Sequence, residues 1–216
     1  MKKKVLAGIA GAVIVLAAVL GVIRLSGHRF VVSPSERRIY FQNLDELSPG
    51  EDIPDWIDTQ IVPINGVGRR GEALEGVNDI VIHYVGNPGT TAQQNRNYYA
   101  KASTEVSSHF LVGLDGEIIL CVPLSEKSSA TNWRNKDTIS IETCHPDETG
   151  QYTDATYASM VKLTAWLCSK YGLDSTHVIR HGDVTGKICP KYFMEDEAAW
   201  EKFKSDVQAA IDSSAF

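Results

Sequence analysis

The sequence predicts an α/β fold, with a mixed central β-sheet flanked by helices on both faces. Short apolar runs typical of buried strands mix along the chain with segments of helical periodicity. Near the middle of the chain, two strand-like runs flank Asp115-Gly116, a residue pair that favours a hairpin turn. The composition, 43% hydrophobic and 22% charged residues, is that of a globular domain.

Five segments are predicted as strands because they are short, apolar and bounded by turn residues. The first of them ends in a histidine and a tyrosine, and the last leads into a loop that contains two glycines. The predicted strands span residues 79–84, 109–113, 117–122, 138–144 and 178–180.

Capping residues and helical periodicity predict three helices. Thr90 or Thr91 can cap the first, which runs to about Lys101. Thr153 or Asp154 can cap the second, which is the longest amphipathic segment of the chain.

The second helix is predicted to end at Gly172, since glycine is the usual residue after a helix C terminus. The third helix is predicted over residues 195–211, with Trp200, Phe203 and Val207 on one side. The apolar stripe of the second helix consists of Tyr157, Met160, Val161, Thr164, Leu167, Cys168 and Tyr171.

The first 24 residues are predicted to form a transmembrane anchor. The 19 residues from Val5 to Ile23 carry no charge, which is about enough to cross a bilayer core of roughly 30 Å. The three lysines before them favour a cytoplasmic N terminus. The alternative is a cleaved signal peptide, although its apolar region is usually about 7–15 residues. Residues 25–52 then form a turn-rich linker, and residues 53–216 form an exported domain, held at the cell membrane by the anchor or secreted after cleavage.

Charge and cysteine content narrow the class of protein further. The formal net charge of −6 argues against a broad basic surface, so no nucleic-acid partner is expected. The four cysteines suggest no simple disulfide framework. Cys168 occupies an apolar helical position typical of a core, whereas Cys121 and Cys144 end strand-like runs and could be neighbours in the sheet.

Three residues predict a metal site: His83 at the end of the first predicted strand, and His181 and Cys189 in the loop 180–190. Taken singly, each histidine is more often structural and the cysteine more often inert core. The glycine-containing loop can fold back to bring both of its side chains to one ion, with His83 supplied by a neighbouring strand. Two imidazoles and a thiolate fit tetrahedral Zn²⁺ with one open position, which separates a catalytic zinc from a structural one.

Four motifs lie around and between these residues: Ile82-His83-Tyr84, Ser108-His109-Phe110, Ile139-Ser140-Ile141-Glu142 and Arg180-His181-Gly182-Asp183-Val184-Thr185-Gly186-Lys187-Ile188-Cys189-Pro190. They closely resemble one enzyme family, the zinc-dependent N-acetylmuramoyl-L-alanine amidases, and the resemblance runs from about Ile53 to Phe203. The family shares its fold with the peptidoglycan recognition proteins. The resemblance implies hydrolysis of the amide that joins N-acetylmuramic acid to L-alanine, with peptidoglycan or muropeptides as the partner. It implies His83, His181 and Cys189 as the Zn²⁺ ligands, although other branches have aspartate at the cysteine position.

The resemblance also implies two catalytic residues. Glu142 would be the general base for the attacking water, and its alternative is an edge-strand charge. Lys187 would stabilise the negative oxygen of the tetrahedral intermediate, and its alternative is a solvated lysine. Asp183 either supports a metal ligand as a hydrogen-bond acceptor or caps the turn.

Substrate contacts are predicted at three further positions. Some relatives place a catalytic tyrosine before the histidine that matches His109, but this chain has Ser108 there, which leaves catalysis to Glu142. His109 is either a substrate-binding pocket residue or a strand histidine. Asn132 and Trp133 lie where relatives contact the glycan or stem peptide, although Trp133 could instead anchor a loop.

Three other functions stay open at this point. A non-catalytic peptidoglycan-binding module would typically lack the cysteine ligand, which this chain has. A peptidase, or an amidase that acts on soluble muropeptides, would use related chemistry. A structural zinc domain needs four protein ligands, and no convincing fourth is evident. A monomer is expected.

Overall fold

The computed structural model describes the backbone of two short N-terminal strands and all of residues 53–216. The strands β1 (His28–Val32) and β2 (Ile39–Asn43) pair antiparallel in a sheet of their own. They lie within residues 25–52, where the sequence predicted a linker without regular structure. Both strands are rich in β-branched and aromatic residues, which favour strands, but each run is too short to show a sustained period.

The predicted transmembrane anchor over residues 1–24 lies outside the described residues. Among the helices of the described part, none combines the length and apolar character needed to cross a membrane. The membrane location therefore stays a prediction, as does the alternative of a cleaved signal peptide.

A six-stranded mixed sheet forms the centre of residues 53–216, in the order β3-β6-β5-β7-β4-β8. Neighbouring strands are parallel except for the hairpin of β5 and β6, which confirms the predicted turn. Strand β3 was not predicted, because its two residues are defined by pairing rather than by an apolar pattern. The strands are β3 (Asp58–Thr59), β4 (Asp79–Tyr84), β5 (Phe110–Val112), β6 (Ile118–Leu120), β7 (Thr138–Thr143) and β8 (Val178–Arg180).

Five α-helices lie within residues 53–216, together with 3₁₀ turns at Asn132–Lys136 and Ser175–His177. Thr91 and Thr153 cap the first two helices, as predicted, and Gly172 ends the second with a positive φ of 68°. The helices are α1 (Ala92–Tyr99), α2 (Asp154–Tyr171), α3 (His181–Thr185), α4 (Lys191–Glu195) and α5 (Glu197–Ser213).

The third predicted helix, over residues 195–211, was wrong at its start. Asp196 has an extended backbone and separates α4 from α5. Its carboxylate accepts a hydrogen bond from the Ala199 amide at 3.0 Å, so this side chain caps a new helix instead of continuing the previous one.

Strand alternation divides the core between the two faces of the sheet. One face packs against α2 and α5 and contains Ile80, Ile82, Ile139 and Ile141, all fully buried. The other face packs against α1 in a smaller cluster that contains Leu111, Cys121 and Cys144. The predicted arrangement of helices on both faces is therefore confirmed, and all four cysteines of the chain are free thiols.

Candidate active site

The site lies at the carboxyl ends of three adjacent parallel strands. His83 on β4 stands opposite Glu142 on β7 in the strand register. Because the isoleucines before them enter the larger core, the two-residue period places both side chains on the opposite face. On the other side of β4, β8 ends with Arg180 opposite Ile82, so the following residue, His181, reaches the level of His83.

The loop after β8 brings Cys189 back beside His181. The amide of Gly182 donates a hydrogen bond to the Cys189 carbonyl at 2.7 Å, which closes the loop. A Cβ atom at Gly182 would collide with Met194 Sδ and the Lys187 carbonyl oxygen, so this close approach requires glycine. Gly186 ends α3 with a φ of 76° and turns the chain toward Cys189.

Donor atoms of His83, His181 and Cys189 all lie within 4.8 Å of one another. Cys189 Sγ is 4.0 Å from His83 Nδ1, and the two imidazole centroids are 4.5 Å apart. His181 and Cys189 follow His83 by 98 and 106 residues in the sequence, and the fold brings all three into one cluster.

The electrostatics of the cluster fit a divalent cation. Burial is the main cause that lowers the pKa of His83 and of His181, and the Lys187 charge adds to both effects, so both rings favour the neutral form that can bind a metal. Burial also raises the pKa of the Cys189 thiol to about 12, with a further contribution from Glu142. Without a cation the thiolate would be costly, whereas a bound metal stabilises it. The donor set therefore suits Zn²⁺.

Glu142 adds a carboxyl group to the cluster, and one of its two oxygens has no hydrogen-bond partner among the described residues. Its Oε1 is 4.0 Å from His83 Nδ1, and its Oε2 is buried with no hydrogen-bond partner among the described residues. Burial raises the pKa of Glu142 to about 8, and a nearby divalent cation would lower it again by favouring the charged form. An unpartnered buried oxygen of this kind is free to take a proton from a water or a substrate.

An open groove of about 730 Å³ gives access to the cluster. All three donors, Glu142 and Lys187 line it, and Lys187 is exposed. Helix α1 forms part of the wall, a role that sequence reasoning missed. The polar composition of α1 could have indicated this role, because the helix buries only Ala92 and Tyr99 and its other residues are mostly polar. The lining from α1 and its preceding loop includes Asn87, Thr90, Asn95, Tyr98 and Tyr99.

His109, one of three predicted substrate contacts, does not line the groove. It is fully buried, and its Nδ1 accepts a hydrogen bond from the Ser140 amide at 3.0 Å. Its Nε2 lies 2.9 Å from the Glu126 carbonyl, to which it donates. His109 is thus a buried histidine directly before β5, and its bond to Ser140 supports β7 two residues before Glu142; its predicted substrate contact stays a prediction.

Acidification is expected to destabilise the protein through His109. Burial lowers the pKa of His109 to about 4, below the ordinary value near 6.5. Below pH 6.5, His109 therefore binds a proton in the unfolded chain but not in the native state. The stability contribution is complete above pH 6.5 and is lost as the pH falls toward 4, by roughly 3 kcal/mol.

Urea unfolding between pH 4 and 7.5, with a chelator present, measures this contribution. His109→Gln keeps a side chain that can donate and accept but cannot titrate in this range, so its free energy of unfolding should depend less steeply on pH. Parallel pH profiles for the wild-type protein and the variant would contradict the assignment to His109.

Asn132, Trp133 and Asp183 occupy three different settings. Asn132 does not line the groove, and its Oδ1 lies 3.0 Å from His181 Nε2. Trp133 is 64% exposed, so it does not anchor a loop in the core, and its substrate contact stays a prediction. Asp183 caps the turn, since its carboxylate accepts from the Arg180 amide at 2.8 Å and from the Arg180 guanidinium.

Comparisons with known proteins agree with these features. A family model described as N-acetylmuramoyl-L-alanine amidase matches residues 73–192. The N-acetylmuramoyl-L-alanine amidase BlyA of Bacillus subtilis (strain 168) is 28% identical over 175 residues, 71% of this chain and 47% of BlyA. The N-acetylmuramoyl-L-alanine amidase CwlL of Bacillus licheniformis is 29% identical over 167 residues, 69% of this chain and 46% of CwlL. The chain thus spans about half the length of the curated relatives it matches.

Similarity to solved structures extends to the fold. A mutant endolysin from Bacillus subtilis superposes with a TM-score of 0.61 and 25% identity, over 70% of this chain and 97% of that one. The family match covers more than half of the chain and includes the three candidate metal ligands and Glu142. On these grounds the chain belongs to the N-acetylmuramoyl-L-alanine amidase family, as its motifs predicted.

Proposed function

We propose that this protein hydrolyses the amide bond between N-acetylmuramic acid and L-alanine of peptidoglycan, using Zn²⁺ held by His83, His181 and Cys189. One observation carries the proposal: three candidate zinc donors and a carboxyl group, Glu142, whose buried Oε2 has no hydrogen-bond partner among the described residues, meet in a single open groove. Three protein ligands leave one zinc position for chemistry. Family membership supplies the identity of the bond.

Bound zinc would act as a Lewis acid toward the amide carbonyl and lower the pKa of the attacking water. Glu142 would accept the proton of that water, because its Oε2 has no competing hydrogen-bond partner in the part of the chain that the structure describes. The same carboxyl group would then return the proton to the departing amine of L-alanine.

Lys187 would stabilise the negative charge that develops on the carbonyl oxygen. Its side chain lines the groove, and its charge is felt at both His83 and His181. The electrostatic effect of an ammonium group at this position becomes stronger once substrate covers the groove and excludes water. The exposure of Lys187 in the free protein is consistent with a group that substrate must reach.

A product-resolved digest tests this proposal. Purified full-length protein is incubated with peptidoglycan, and new amino termini and intact glycan chains are followed by mass spectrometry. We expect L-alanine amino termini to appear, to stop with a zinc chelator and to return when Zn²⁺ is added. The same digest with Cys189→Ser protein, purified in parallel, controls for contaminating hydrolases.

Two results would contradict the proposal. Retained binding to the polymer without release of any amino terminus, from folded and zinc-loaded protein, would indicate a recognition module. Release of amino termini other than that of the first L-alanine would indicate a peptidase. Peptidoglycan and soluble muropeptides, offered side by side, identify the preferred substrate.

A further inference from the structure

We infer that Thr131 and Asn132 are positioning residues that jointly orient both imidazole ligands of the zinc site. His83 Nε2 lies 3.2 Å from Thr131 Oγ1, and His181 Nε2 lies 3.0 Å from Asn132 Oδ1. Two consecutive residues of one turn thus contact the outer nitrogens of both histidines. This inference rests on the proposed function, because it concerns the same metal site.

The chemistry of these contacts determines which ring nitrogen faces the metal. An amide oxygen only accepts hydrogen bonds, so His181 Nε2 must carry the proton and donate it to Asn132. In a neutral ring this leaves the lone pair on Nδ1. For His83, the Thr131 hydroxyl can accept from Nε2 in the same way, and Nδ1 of His83 then faces Cys189 Sγ with its lone pair. A metal ligand whose other ring nitrogen donates to a fixed acceptor is held in one tautomer and orientation.

The turn that carries these residues is itself held in place. Asn135 Oδ1 accepts hydrogen bonds from the Thr131 amide at 2.6 Å and from the Ala130 amide at 3.1 Å. Arg134 then forms ion pairs with Asp79 at the start of β4 and Asp137 just before β7. The turn is therefore fixed to the two strands that supply His83 and Glu142.

The backbone of Asn132 supports a specific role for its side chain. Asn132 has a φ of +56°, in the left-handed region that few residues other than glycine adopt readily. Asparagine and aspartate tolerate this conformation better than most side chains. Thr131 is fully buried, whereas Asn132 is exposed apart from its contact with His181. Glycine would suit the backbone equally well but would leave His181 Nε2 without its acceptor.

Zinc affinity, measured on the full-length protein by competition with a chromophoric chelator, tests the inference. Thr131→Val removes the hydroxyl at nearly constant shape. Asn132→Gly removes the amide side chain, and glycine tolerates the positive φ at this position. Each variant should weaken zinc binding about 10–100-fold. Thr131→Ser and Asn132→Asp keep an oxygen acceptor and should retain affinity near that of the wild type. Trp133→Ala, in the same turn but exposed, is the matched control for zinc affinity.

A second readout separates orientation from folding. The absorption spectrum of the Co²⁺-loaded protein should change in Thr131→Val and Asn132→Gly but not in Trp133→Ala, while all metal-free proteins unfold at similar temperatures. Zinc affinities of both variants within twofold of the wild type would overturn the inference and leave the proposed function intact. If Thr131→Val fails to fold, the zinc affinity of Asn132→Gly, a change at an exposed position, still tests the inference. Failure of the wild-type protein to bind zinc would overturn the proposed function and this inference together.

Discussion

Cys189→Ser is expected to abolish zinc binding and turnover together. The serine hydroxyl is a much weaker metal ligand than a thiolate, so two imidazoles would remain to hold the ion. The loss of activity should exceed the roughly 10²–10³-fold that removal of a single oxyanion-stabilising group costs, because the metal itself leaves. Metal content by mass spectrometry of the intact protein and the peptidoglycan digest measure the two effects side by side.

Matched variants sharpen this experiment. Cys168→Ser makes the same change at a thiol in the main core, 21 residues before Cys189, and should leave zinc content unchanged. Cys189→Asp restores an anionic ligand and should recover part of the zinc affinity that serine loses. Full zinc occupancy in Cys189→Ser would show that the thiol is not a ligand, whatever the activity of the variant.

Local sequence patterns predicted those parts of the fold that depend on neighbouring residues. Thr91 and Thr153 cap their helices, and Gly172 ends one, because each acts on backbone groups within a few positions of itself. Strand β4 was predicted with its observed ends, since its apolar run is bounded on both sides by polar or turn residues. Asp196 shows the limit of this approach. The helix was predicted to begin at Glu195, whereas the Asp196 side chain caps a helix that begins at Glu197.

The site could be predicted in part for a different reason. The motif around His181 and Cys189 identified two ligands by resemblance, and the parallel pairing of β4 with β7 then placed Glu142 beside His83. The role of Asn132 could not be predicted, because its partner His181 lies 49 residues away and meets it only through the tertiary fold. No local pattern marks such a contact. Its substrate-binding assignment rested on position in the family alone.

Glu142→Gln is expected to lower kcat by about 10²–10⁴-fold while the protein keeps its zinc. Glutamine preserves the shape of the side chain but cannot accept a proton from water, so the change removes the base and little else. Glu148→Gln, an exposed acid in the following loop, is the matched control and should have wild-type kcat. Steady-state kinetics on a muropeptide and zinc content, measured on the same preparations, provide both readouts.

The pairing of these readouts matters because Glu142 Oε1 lies 4.0 Å from His83 Nδ1, close enough for a carboxylate to serve instead as a fourth ligand. A fourth protein ligand would close the open position and make the zinc structural. In that case Glu142→Gln would lose zinc in proportion to activity. A general base predicts the opposite pattern, full zinc content with slow turnover, because Oε2 has no hydrogen-bond partner among the described residues that the variant would lose. Wild-type turnover in Glu142→Gln would exclude both roles.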